Sequence, residues 1–89
     1  MPAPEVTVYS TGMCPYCVRA RQLLERKGVR YTEYRVDDEP RLRHEMESKS
    51  KRRSVPQIFI NDLHIGGFDE LAQLERNGKL EALLQDGSV

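Results

Sequence analysis

The sequence has little of several features that define common protein classes. It has no tryptophan and only two cysteines among 89 residues, and no run approaches the roughly 20 apolar residues of a membrane-spanning helix. Its 14 basic and 14 acidic side chains cancel, which argues against a general binder of nucleic acid but leaves room for a local charged patch. Residues 1–5 have no cationic start and no apolar run, so we predict no signal peptide.

These absences favour one small domain, residues 1–89, in the cytoplasm. A structural disulfide does not persist in a reducing compartment, and two lone cysteines there are more often catalytic or metal-binding. Both cysteines lie in one short stretch, Met13-Cys14-Pro15-Tyr16-Cys17.

Cys14 and Cys17 lie where a strand pattern, Glu5 to Ser10, meets a helical pattern that runs to Lys27. We expect Cys14 at the start of the helix, where unpaired backbone N–H groups and the helix dipole favour a thiolate. The helix dipole stabilises the Cys14 thiolate by at most about 2 kcal/mol. This is less than a strongly acidic thiol needs, so a hydrogen bond from the Cys17 backbone N–H has to contribute as well. Cys17 follows one turn later on the apolar face and is predicted to be the buried, resolving thiol.

Metal binding is the main alternative use of such a pair. A structural zinc site needs four ligands, and the other candidates, His44 and His64, lie far apart on elements of different type. A copper-carrier loop would place a methionine two residues before the first cysteine, whereas Met13 is adjacent to it. Inert buried cysteines are a further alternative, against which the position between strand and helix argues. We therefore predict a redox pair and no bound metal.

The rest of the pattern predicts an α/β fold with the element order βαβαββα. Gly28 ends the first helix, and Pro40, which follows three acidic residues, begins the second. Asn61-Asp62 suits a two-residue hairpin turn, and Asp69 is expected to cap a last helix that Asn77-Gly78 interrupts. The predicted elements between the first and last helices are a strand over Val29–Val36, a helix from Asp37–Pro40 to about Lys49, and strands over Gln57–Ile60 and Leu63–Ile65. Because the first crossover is helical, we predict a four-stranded mixed sheet with helices on both faces.

Three short segments of the chain form a recognisable set. They are Cys14-Pro15-Tyr16-Cys17, Ser54-Val55-Pro56 before the hairpin, and Gly66-Gly67-Phe68-Asp69-Glu70 after it. In this order and spacing they resemble the dithiol glutaredoxins of the thioredoxin superfamily, and the similarity covers about Glu5 to Leu84. The resemblance implies a thioredoxin-like fold and a glutathione-dependent thiol-disulfide oxidoreductase.

The resemblance also implies where glutathione binds. The Val55–Pro56 bond is implied to be cis and to face the cysteines, with the Val55 backbone open to an extended peptide. Gly67, Phe68 and Asp69 are implied to hold the γ-glutamyl end. There the start of a helix suits the carboxylate, and the Asp69 side chain suits the ammonium.

The other end of glutathione needs a cation for its glycyl carboxylate. Relatives often have a lysine three residues before the first cysteine, a position that Thr11 occupies here. We favour Arg52 as the replacement, with Arg43 as a weaker candidate and a solvated basic helix end as the alternative. Tyr16 is implied to flank the cysteinyl part, with ordinary packing as its alternative, and Glu70 is expected to be a solvated helix acid.

The implied reaction begins when the Cys14 thiolate attacks a disulfide, and Cys17 resolves the mixed disulfide. The implied partners are glutathione and disulfide-bonded or glutathionylated proteins, with ribonucleotide reductase as one substrate that the family offers. We expect a monomer that binds neither nucleic acid nor membranes. Two other functions stay open: a thioredoxin-type reductant recharged by a flavoprotein, and a dimer with an iron–sulfur cluster on Cys14. Pro15 argues against the cluster because it stiffens the loop that would have to open.

Overall fold

The computed structural model describes residues 5–86. The prediction of no signal peptide concerns residues 1–5, most of which lie outside the described residues. The strands are β1 (Val6–Ser10), β2 (Thr32–Arg35), β3 (Gln57–Ile60) and β4 (Leu63–Gly66). The helices are α1 (Pro15–Arg26), α2 (Pro40–Ser50), α3 (Phe68–Arg76) and α4 (Leu80–Asp86). The predicted order is found, and the last helix is divided in two at the predicted interruption, Asn77-Gly78.

The four strands form one mixed sheet in the order β2-β1-β3-β4, which confirms the predicted sheet. β1 and β2 are parallel, whereas β3 is antiparallel to both β1 and β4. Tyr9 near the end of β1 lies opposite Gln57 at the start of β3. The chain that leaves β1 toward Cys14 and the chain that enters β3 from Pro56 therefore lie at the same edge of the sheet.

Side chains that alternate along the strands pack against helices on opposite faces of the sheet. The larger cluster holds ten buried residues from β1, α1, β3, α3 and α4: Val6, Val8, Ala20, Leu23, Leu24, Ile58, Ile60, Leu71, Leu80 and Leu83. The smaller cluster joins the other face to α2 and contains Tyr9, Val36, Met46 and Phe59. Because full burial of a large apolar side chain contributes about 1.5–3 kcal/mol, the face with α1 and α3 contributes more to stability than the face with α2.

The second strand is shorter than the predicted Val29–Val36. Gly28 adopts a left-handed conformation with φ 71°, and the Val29 N–H donates to the Leu24 carbonyl at 3.1 Å. This hydrogen bond closes the end of α1, so pairing with β1 begins only at Thr32.

The last part of the chain confirms one prediction, the interruption of the last helix at Asn77-Gly78, and corrects another. Gly78 is left-handed with φ 72°, and the Lys79 N–H donates to the Leu74 carbonyl at 3.0 Å. This turn ends α3 and starts a separate helix, α4. The residue that caps α3 is Gly67 rather than Asp69, because the chain is already helical from Phe68 and Asp69 lies within the first turn.

Candidate functional site

Cys14 is the N-cap of α1, as predicted, with an extended backbone at φ −138° and ψ 105°. Its Sγ atom accepts a hydrogen bond from the Cys17 backbone N–H at 3.1 Å. Its thiol lies 3.8 Å from the Val55 carbonyl oxygen, to which it donates. Cys14 is half-buried, so its sulfur combines a donor that stabilises a negative charge with access from solvent.

Cys17 differs from Cys14 in its surroundings. It is fully buried on the core side of α1. Burial, followed by the hydrogen bond with Cys14, raises the pKa of the Cys17 thiol well above its ordinary value, and a backbone hydrogen bond with Thr11 partly opposes this rise. The two sulfurs therefore offer different chemistry: one is accessible and the other is held as a thiol at neutral pH.

A salt bridge behind the cysteine loop holds the chain between β1 and α1. The Asp37 carboxylate accepts from the Gly12 backbone N–H at 3.0 Å and pairs with both Nε and Nη2 of Arg35, each at 3.1 Å. These bonds, that from Arg35 foremost, lower the pKa of Asp37 to about 2. This contact was not predicted from the sequence. The available signal was an acid two residues after β2, beside the end of β1, because parallel neighbours end at the same edge of the sheet.

A cavity of about 270 Å³ opens beside Cys14 and brings the predicted glutathione-binding residues together. Its lining includes all seven of them: Tyr16, Arg52, Val55, Pro56, Gly67, Phe68 and Asp69. The Val55–Pro56 bond is cis, as predicted. Arg43 does not line the cavity and instead donates to the Arg53 carbonyl at 3.3 Å.

Glu70 is not the solvated helix acid that the sequence suggested. Its Oε1 atom accepts from the Gly67 backbone N–H at 2.6 Å and from Arg52 at 3.0 Å. These two contacts, that from Gly67 first, lower the pKa of Glu70. Because Gly67 has no side chain with which to cap α3, Glu70 caps it from three residues within the helix, and it ties Arg52 to the same corner of the cavity.

Tyr16 lies on the rim of the cavity and is 54% exposed. Its ring centroid is 6.3 Å from that of Phe68, and the Arg19 guanidinium carbon lies 5.7 Å from the Tyr16 ring centroid. Packing within the chain therefore uses only part of the Tyr16 ring, and the rest faces the opening next to Cys14.

The two histidines serve no metal cluster in the described part of the chain. The Nε2 atom of His64 is 2.7 Å from the Gln57 side-chain oxygen, its ring packs against Phe59, and burial lowers its pKa. His44 is exposed on α2. Residues 5–86 contain no group of three His, Cys, Asp or Glu side chains arranged to hold a metal, and none of their helices is long and apolar enough to span a membrane.

Comparison with known proteins agrees with the geometry. The glutaredoxin family profile matches residues 6–65, and a glutaredoxin of Pseudomonas aeruginosa is 53% identical over 81 residues, covering 91% of this chain and 96% of that protein. The solution structure of a Brucella melitensis glutaredoxin is 46% identical with a TM-score of 0.84, covering 96% of this chain and 92% of that one.

The crystal structure of a buckwheat glutaredoxin–glutathione complex is 32% identical with a TM-score of 0.85. It covers 91% of this chain and 76% of that one. These matches confirm the predicted resemblance and the thioredoxin-like fold. Together with the Cys-x-x-Cys pair at the start of α1, they show that the chain belongs to the glutaredoxin family.

Proposed function

We propose that the protein is a glutathione-dependent thiol-disulfide oxidoreductase that reduces protein disulfides and protein–glutathione mixed disulfides. The observation that carries the proposal is the unequal pair of sulfurs: half-buried Cys14, which accepts the Cys17 N–H at 3.1 Å, and buried Cys17. A thiolate is the attacking species in disulfide exchange. Cys14 is therefore the nucleophile, and Cys17 acts only on a disulfide that Cys14 has already formed.

Glutathione suits the cavity because it carries a carboxylate at each end and an ammonium at one. In the proposed complex, the γ-glutamyl carboxylate accepts from the Phe68 and Asp69 backbone N–H groups, and the ammonium pairs with the Asp69 side chain. Arg52, shared with Glu70, pairs with the glycyl carboxylate, and the Val55 backbone pairs with the cysteinyl part. The complex of the buckwheat relative with glutathione supports this choice of ligand.

Removal of glutathione from a protein needs only Cys14. Its thiolate attacks the glutathionyl sulfur, the mixed disulfide breaks, and the protein leaves as a thiolate that takes up a proton. The thiolate of a second glutathione then attacks the glutathionyl sulfur on Cys14. This step releases oxidised glutathione and restores the Cys14 thiolate.

Reduction of a protein disulfide needs both cysteines. Cys14 attacks one sulfur, and the resulting mixed disulfide carries no negative charge at Cys14. The contribution of Cys14 to the raised pKa of Cys17 is then lost, so Cys17 gives up its proton more readily and attacks Cys14. The substrate leaves with two thiols, and two glutathione molecules reduce the Cys14–Cys17 disulfide.

The proposed substrates are disulfide-bonded and glutathionylated proteins, of which ribonucleotide reductase is one candidate. The dithiol form requires a supply of reduced glutathione, so we propose that the protein acts in the cytoplasm. A monomer suffices for both routes, because the described residues of one chain provide both sulfurs and the cavity.

Turnover of a glutathionylated peptide and of a disulfide-bonded peptide, each coupled to glutathione, tests the proposal. We expect Cys14→Ser to abolish both reactions, and Cys17→Ser to keep the first and lose most of the second. Loss of both reactions in Cys17→Ser would show that the two roles are assigned wrongly. Wild-type protein that consumes no glutathione with either substrate would refute the proposed function itself.

A further inference from the structure

A groove between α1 and α3 adjoins the proposed glutathione site but takes no part in the reaction described above. It encloses about 540 Å³, and its lining includes Leu23, Phe68 and Ala72. Phe68 also lines the cavity beside Cys14. A chain bound near Cys14 can therefore continue across Phe68 into the groove.

Three arginines, Arg19, Arg26 and Arg76, line the same groove. Arg19 lies over the Tyr16 ring, and none of the three pairs with a carboxylate among residues 5–86. The one acid in the lining, Glu75, is 2.7 Å from Lys27, so its charge is already partly balanced. In a chain with 14 basic and 14 acidic residues, this is a local concentration of positive charge beside an apolar floor.

We propose that this groove binds an acidic segment of the protein-disulfide substrate. The inference rests on the proposed function and adds a substrate preference to it. Charge complementarity favours carboxylate side chains, and the apolar floor suits aliphatic residues between them. The groove and the glutathione cavity share Phe68, so the groove serves a chain that runs across that cavity itself rather than a protein attached through glutathione.

The dimensions indicate where the acids lie in the substrate. The 12 residues of α1 rise about 18 Å from Cys14 to Arg26. An extended peptide advances about 3.3 Å per residue, so acids four to six positions from the attacked cysteine reach Arg26 and Arg76. The chemistry is unchanged: the peptide disulfide gains two electrons and two protons as Cys14 and Cys17 become a disulfide.

The test is a single-turnover reaction of the pre-reduced protein with a synthetic peptide that carries an internal disulfide. One peptide has Asp and Glu four to six positions outside each cysteine, and its match has Asn and Gln there. We expect the wild-type protein to reduce the acidic peptide about tenfold faster at low ionic strength, an advantage that about 0.5 M salt largely removes. Arg26→Gln/Arg76→Gln removes most of the advantage.

A matched variant, Arg30→Gln/Arg41→Gln, lowers the net charge equally at exposed sites away from the groove and keeps the preference. Equal rates for the two peptides with wild-type protein, or equal losses in both variants, would overturn the inference. The inference would also be overturned if a single-stranded oligonucleotide inhibited the reaction at a lower concentration than the acidic peptide does. It would likewise be overturned if the wild-type protein were a dimer that only Arg26→Gln/Arg76→Gln dissociated. Because this reaction contains no glutathione, its failure is distinct from a failure of glutathione-coupled turnover, which is measured on the same preparation.

Discussion

The helices α1 and α2 begin in nearly the same way, yet only one of them supports chemistry. Cys14 precedes Pro15 with φ −138° and ψ 105°, and Glu39 precedes Pro40 with φ −134° and ψ 104°. The Cys14 side chain accepts a backbone hydrogen bond, whereas the Glu39 side chain makes no cap bond.

The surroundings separate the two helix starts further. Beside Cys14 lie the Val55 carbonyl, the buried Cys17 and a cavity, and α1 contributes three buried residues to the larger cluster. The start of α2 is exposed, and that helix buries only Met46 and Ser50. The first turn of any α-helix thus stabilises a negative charge placed beside it. Reactivity depends on which atom occupies it and on what the tertiary structure places opposite.

The largest expected effect comes from giving both helices the same cap. Cys14→Ser leaves a good N-cap residue, so we expect unchanged or slightly higher stability and a loss of activity of at least about 1000-fold, because the nucleophile is gone. Glu39→Ser adds a cap bond worth about 1 kcal/mol and removes a carboxylate worth about 0.3–0.5 kcal/mol. Its net gain is therefore about 0.5 kcal/mol, with activity unchanged.

Glutathione-coupled turnover and urea denaturation of the two serine variants measure these effects. A Cys14→Ser protein that unfolds at much lower urea than the wild type would show that its sulfur has a structural role. Activity lost in Glu39→Ser would show that α2 contributes to the site, which would break the contrast between the two helices.

The start of α3 is intermediate in function between the reactive start of α1 and the inactive start of α2, because we propose that it binds a ligand without reacting. Asp69→Ala removes the proposed partner of the glutathione ammonium, a charged hydrogen bond worth about 1.5–3 kcal/mol. We expect KM for glutathione to rise about tenfold or more, and more than kcat falls. Steady-state kinetics at varied glutathione provides the measurement, with the exposed Asp38→Ala as the charge-matched control. An unchanged KM in Asp69→Ala would remove this residue from the site.

The smallest expected effect concerns the tertiary contact between Gly12, which precedes α1, and Asp37, which precedes α2. The pKa of Asp37 is about 2 in the folded protein, below the value of about 3.9 for an unfolded chain. Its contribution to stability is therefore complete above about pH 5 and is lost as the pH falls toward 2. Asp37→Asn should lower the urea midpoint at pH 7 and reduce its decline between pH 5 and 2. Asp38→Asn is the control, and an identical acid response in the two variants would contradict the proposed anchoring of Gly12.

Much of the fold and the site could be predicted because the controlling signals are local. The spacing of Cys14 and Cys17 on a helix fixes one sulfur at its start and the other one turn later. Gly28 and Asn61-Asp62 mark turns through the backbone conformations that they tolerate. The seven predicted binding residues line one cavity because three segments, each short, meet at one edge of the sheet.

Local sequence signals did not predict hydrogen bonds and ion pairs between residues that are distant along the chain. Glu70 looks like an ordinary helix acid until Arg52, 18 residues away, and the Gly67 N–H are placed beside it. The contact between Asp37 and Gly12 spans 25 residues, and it can be predicted only once β1 and β2 are paired as parallel neighbours.

Local patterns were sufficient to predict the redox pair, the alternation that distinguishes strands from helices, and the turns between them, because each depends on residues within a few positions of one another. Folding of the chain establishes what lies opposite Cys14, which charges around the cavity are already paired, and that three arginines border a groove between α1 and α3. Hydrogen bonds and ion pairs depend on distance in space, and packing of the sheet brings together residues that the chain holds far apart.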